Sequence, residues 1–171
     1  MKFLSKWAWI GAVAFGLLLV GSGLFMVTEA RSAHSDVRGA LTAERIVTAE
    51  DADIPLAPVD GPEEAKAQAD AIQAHVIKIT GGKTYAELAR DDPNRATYLQ
   101  AVTLRTALME SYLAFRVADL VLGVGVIVAL LGLSHVVLGF YLALLTAPSR
   151  AAIPKTGQRA LNQPDTPEVA L

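Results

Sequence analysis

Cysteine is absent from the 171 residues. That excludes disulfide staples, thiolate metal sites and a thiol nucleophile. Histidine occurs only three times and aromatic residues make up 6% of the chain, so a catalytic centre built on several imidazoles is short of material. A formal charge of −2 leaves no basic excess of the kind nucleic acid demands, and no nucleic-acid partner is expected. Charge is missing altogether from two long stretches, Trp7–Val27 and Leu120–Pro148.

Those two stretches hold most of what is there. The first is 21 residues, roughly 31 Å as a helix against about 30 Å of bilayer hydrocarbon. The second is 29 residues, roughly 43 Å as a helix, so it must tilt or emerge from the hydrocarbon. The fold class expected is an all-α membrane protein. Transmembrane helices over 7–27 and 120–147 carry between them an α-helical extracytoplasmic domain, 28–119, with an extended proline-containing arm. Lys2 and Lys6 precede the first block, and Arg150, Lys155 and Arg159 follow the second. Basic residues near membrane ends mark the cytoplasmic side. This places residues 1–6 and a disordered tail, 148–171, in the cytoplasm, with the chain in the plasma membrane. The middle segment carries fifteen acidic and ten basic residues. Thr28-Glu29-Ala30 loosely resembles a signal-peptide cleavage site. Secretory apolar cores run to about 7–15 residues, however, so a retained anchor is the expectation.

Within the middle segment, residues from Thr28 prolong the first helix, with Gly39 leaving its later part open. Pro55, Pro58 and Pro62 forbid a continuous helix over Arg45–Pro62, so Ile46–Val59 reads as an extended arm laid across helices. Asp60 as N-cap and Glu63 as its capping-box partner open the next helix, with Pro62 near N1. Ala65, Ala69, Ile72, Val76 and Ile79 make its apolar stripe, and Gly81-Gly82 ends it. After a short turn over Thr84–Arg90, Asp92 caps a helix that starts at Pro93 and meets no stop before Pro148. Its predicted packing stripe is Leu99, Val102, Thr106, Met109 and Leu113.

The chemical candidates are few. "TGGKTYAEL", Thr80–Leu88, contains Gly-Lys-Thr, but a phosphate-binding loop needs a glycine where Ile77 stands and a preceding strand. No nucleotide is expected. His135 lies inside the second apolar block, where an ionisable group is costly. Two readings of it stand: helix association through a neutral imidazole, or a proton- or ligand-binding role. A bis-histidine haem would need two chains. Gly125, Ala129 and Gly132 form a small-residue face, as do Ala12 and Gly16, which suits close helix approach within the chain or between copies. His34, Asp36 and His75 match no metal spacing, and Glu50-Asp51-Asp53 and Asp91-Asp92 lack a calcium-loop pattern. Neither metal nor cofactor is expected. Arg116 and Asp119 are spaced for an ion pair.

"RGALTAERIVTAEDA" (Arg38–Ala52), "AKAQADAIQAH" (Ala65–His75), "TGGKTYAELARDDPNR" (Thr80–Arg95) and "TLRTALMESYLAF" (Thr103–Phe115) carry a resemblance to a family of small actinobacterial membrane proteins of unknown function. Some of its members are labelled aromatic ring-opening dioxygenases. That label implies a dense His/Glu metal site, which this chain lacks, and the family supplies no catalytic residue to transfer. With no Ser-His-Asp or Cys-His signature, the leading expectation is a non-enzymatic interaction or accessory subunit. Its partners are the lipid bilayer and a protein partner or a second copy. A ligand- or lipid-binding sensor is the alternative, and a membrane enzyme the third.

Overall fold

A computed structural model describes residues 2–146. The predicted tail over 148–171 and its basic residues lie outside the described residues, and so do the side chains of Lys2 and Lys6. Among the described residues the helix is the only regular element, with no strand: α1 spans Lys2–Glu44, α2 Pro62–Ile79 and α3 Asn94–Thr146. Two of these helices, α1 and α3, are long and apolar enough to cross a membrane.

The long helices are antiparallel and packed along most of their length, and α2 lies against the charged part of α3. A repeat of seven governs the long pair. Gly16, Gly23 and Ala30 on α1 recur at that spacing, as do Ala118, Gly125, Gly132 and Gly139 on α3. An unbroken seven-residue repeat keeps one face of a helix turned to its partner as the two wind together. Near the charged end the seam widens to larger side chains. Leu41, Val59, Ala65, Ala69, Leu108 and Phe115 form one core, and Val76, Leu88 and Tyr98 a second, further from the apolar blocks.

Gly39 does not interrupt α1, which continues to Glu44. The helix ends where Arg45 turns to φ 51°. The arm predicted over Ile46–Val59 is a closed loop whose two limbs pair with each other. Thr48 donates its amide to the Ala57 carbonyl at 2.9 Å, and Val59 donates to Ile46 at 2.9 Å. The Thr48 hydroxyl accepts the Ala57 amide at 2.8 Å. Prolines prevent a helix here but leave these backbone groups to satisfy, and a returning chain satisfies them. Gln68 of α2 fastens the loop by accepting the Ala49 amide at 2.7 Å.

Four other expectations need correction. The cap of α2 is Gly61, one residue later than predicted, without a side-chain cap bond. That shift puts Glu64, not Glu63, at N3, where its carboxylate lies over Gly61, and it frees Glu63 to pair with Arg116 at 2.9 Å. The Arg116–Asp119 pair is therefore replaced. Asp119 faces His34 of α1 at 3.7 Å, because α1 and α2 flank α3 on different sides. Ile79 ends the α2 stripe exposed.

The fourth correction concerns α3. Val102 and Met109 of the predicted stripe pack against the cores, but Leu99 and Leu113 are 55% and 60% exposed, while Tyr98, Leu108, Phe115 and Ala118 are buried. Two apolar faces satisfy the same 3/4 spacing on this helix, and the small-residue repeat selects the one that meets α1. At the start of α3, Asp92 accepts the Asn94 amide at 2.8 Å.

Candidate functional site

Close contact between α1 and α3 comes from missing side chains. A Cβ on Gly16 would lie 2.7 Å from the Gly132 carbonyl oxygen, and one on Gly132 would lie 2.6 Å from the Gly16 carbonyl oxygen. The reciprocity sets each glycine Cα against the other's carbonyl, the arrangement of weak Cα–H···O contacts. Gly23 meets Gly125 and Ala129 in the same way. Of the residues singled out from sequence, Gly125, Gly132 and Gly16 are buried and Ala129 and Ala12 half-buried. Gly23 and Gly139 were not anticipated, although the seven-residue spacing was there to find them.

His135 lies next to this seam. Its Nδ1 is 2.8 Å from the Leu131 carbonyl oxygen, one turn earlier on its own helix. A carbonyl can only accept, so in this arrangement Nδ1 donates. Phe15 of α1 meets the ring edge-on, with centroids 5.4 Å apart. Among the described residues no three His, Asp or Glu side chains gather as metal ligands. His34, Asp36 and His75 go separate ways. His75 Nε2 lies 2.8 and 2.9 Å from the two Asp51 oxygens, with Lys78 3.8 Å away. The hydrogen bond from His75 lowers the Asp51 pKa below its ordinary 3.8, and the cluster ties the loop tip to α2.

The Gly-Lys-Thr stretch is a helix terminus. Gly81 and Gly82 take φ of 63° and 87°, and the Gly82 amide reaches back to the Ile77 carbonyl at 2.8 Å, the bond that closes a Schellman end. Thr84 and Glu87 then bridge the turn that follows. Thr84 donates both its amide and its hydroxyl to the Glu87 carboxylate at 2.7 Å, and these bonds lower the Glu87 pKa. Leu88 is buried against Val76 and Tyr98, and Arg95 donates to the Leu88 carbonyl at 2.8 Å while covering the Tyr85 ring.

Two concavities stand beside these groups. One, of about 450 Å³, lies where all three helices meet the loop, between Leu41, Glu44, Ile46, Gln68, Ile72 and Leu108. The other, of about 510 Å³, lies where α1 and α3 leave their uncharged stretches, and Arg31, His34, Ser35, Arg38 and Asp119 line it. Positions 31, 34, 35 and 38 share one helical face, a signal present in the sequence. No family model matches this chain, and comparison with curated proteins and with solved structures gives no match either.

Proposed function

We propose that the chain is a two-pass integral protein of the plasma membrane that serves as a non-enzymatic interaction or accessory subunit. Both termini lie in the cytoplasm, and residues 28–119 form a helical domain outside. What carries the reading is the second apolar face of α3. Leu99, Thr106, Leu113, Leu120 and Ile127 recur every seven residues, and none is buried. The uncharged part of that face suits lipid. The part above it does not, because Val117 stands 50% exposed beside Leu113, like Leu99 and Leu113 themselves, on a segment rich in charge. One partner helix could follow the same face from the bilayer into the outer domain.

The chain's lack of cysteine makes the test clean. Single-cysteine variants Leu113→Cys and Val117→Cys, cross-linked in native membranes and analysed by mass spectrometry, are expected to yield one stoichiometric adduct. It would be either a second copy or one other membrane chain, with far less adduct at Thr97→Cys, an exposed position on the opposite side of α3. A strictly monomeric protein at both positions overturns the proposal. The topology has its own test. An impermeant thiol reagent on intact cells is expected to label Thr84→Cys and spare Gln163→Cys, and the reverse pattern overturns the assignment of sides.

A second reading, a sensor for an elongated apolar ligand, draws on the 450 Å³ concavity, whose walls are mostly aliphatic with Glu44, Gln68 and Ser111 among them. A ligand carried through purification and seen by native mass spectrometry favours it over the subunit reading.

A further inference from the structure

The groove at the charged end of the uncharged stretches has the chemistry of a phosphate site. Arg31 and Arg38 both line it from α1, two turns apart, with His34 and Ser35 between them. Neither arginine has a carboxylate partner among the described residues, whereas Arg116, Lys66 and Lys78 each do. The one carboxylate in the groove, Asp119, is turned to His34 Nε2 at 3.7 Å. The His34 ring is itself held against Phe115, with centroids 4.6 Å apart. Two guanidinium groups against one carboxylate leave the groove net positive, in a segment that is otherwise net acidic.

Position gives this charge its meaning. The uncharged run of α1 ends at Val27, so Arg31 stands roughly 6 Å beyond it along the helix and Arg38 roughly 16 Å. Side chains on a helix lean towards its N-terminus, which on α1 is towards the apolar stretch, so Arg31 is within reach of the boundary and Arg38 lines the groove from its outer end. The headgroup layer occupies roughly the first 5–8 Å outside the hydrocarbon. The groove's remaining walls, Ala30, Ala118 and Leu122, run into the lipid-facing surface, where acyl chains can follow. Guanidinium forks bind phosphate oxygens in pairs. We infer that Arg31, Arg38 and Ser35 form a binding site for a phosphate group, supplied by a phospholipid headgroup at the membrane boundary.

The inference rests on the membrane reading above, and alkaline carbonate extraction checks that separately: wild type and variants must all stay in the membrane fraction. The full chain in nanodiscs of mixed phosphatidylglycerol and phosphatidylcholine is then released into the gas phase, and the retained lipids are weighed. Wild type is expected to retain phosphatidylglycerol about tenfold more than the double variant R31Q/R38Q, a factor of ten being 1.4 kcal/mol. The charge-matched control K83Q/R90Q is expected to behave as wild type. Arg31 and Arg38 are exposed, so the fold survives their replacement, and unchanged circular dichroism verifies this. A second arm titrates inorganic phosphate into detergent-solubilised protein and follows 31P line width. Broadening lost in R31Q/R38Q, without lipid selectivity, assigns the same site to a free anion and overturns the headgroup as its source. Equal lipid retention and equal line widths in wild type and double variant overturn the site altogether.

Discussion

Gly132→Leu is expected to force α1 and α3 apart, with a large loss of stability. Its first added carbon would fall 2.6 Å from both the Gly16 carbonyl oxygen and the Val20 amide nitrogen. Both atoms belong to backbone, so no rotamer change relieves the clash. Overpacking costs about 1–3 kcal/mol, and a backbone clash lies at the upper end or beyond. For a chain of this length that corresponds to a drop in melting temperature of roughly 5–10 °C. Fluorescence-detected thermal unfolding in detergent measures it, and spin-label distances between the helices should lengthen in parallel. Gly123→Leu is the control, because the space around Gly123 is open and the added side chain meets only solvent or lipid. Equal melting temperatures for the two variants would show that the seam is not the contact described.

Phe115→Ala is expected to release α2 from α3 while leaving the glycine seam intact. Phe115 is fully buried among Leu41, Val59, Ala65, Ala69 and Leu108. The alanines opposite it are too small to close around the vacated volume, so the cavity persists and the cost is about 3–5 kcal/mol. The contribution is large for a helix whose buried residues are mostly alanine, leaving Val76 with Leu88 and Tyr98 as the remaining core of α2. Hydrogen exchange should accelerate across residues 62–79 and the loop before them, while 120–146 stays protected. Phe115→Leu keeps most of the volume and should show a fraction of the effect. Uniform acceleration through 120–146 would mean that the two parts unfold as one.

The helical class, the two long apolar helices and the glycine stop of α2 follow from local chemistry, which is why they could be read from the sequence. Gly81 and Gly82 adopt the left-handed turn whatever surrounds them, and charge-free runs of such length have few alternatives. Choices between equals could not be read. Leu99–Leu113 and Tyr98–Phe115 give the same periodicity on α3, and only the geometry of α1, with a small residue every seventh position, decides which face closes. The cap at Gly61 rather than Asp60 moved by a single residue, yet it redirected Glu63 to Arg116 and left Asp119 to His34. Ion pairs between elements depend on that register. His135 stood out because a polar atom in an apolar block is conspicuous. The Arg31–Arg38 groove did not, because its meaning comes from Asp119 and Leu122 on a helix some ninety residues away in sequence.

In α3 the 53 residues from Asn94 to Thr146 form one helix without proline. Sharp bends in helices arise mostly at proline, at glycine/serine pairs or where the bonding ladder is interrupted, and the stretch from Asn94 to Leu120 contains no glycine or proline at all. Mechanically this stretch is a lever arm with no elbow, roughly 39 Å long at 1.5 Å per residue. A tilt of about 10° at its foot swings the far end sideways by roughly 7 Å over that length. In the membrane arrangement proposed above, a change in bilayer thickness that tips the lower half of α3 would displace Tyr98, Leu88 and the turn at Gly81-Gly82.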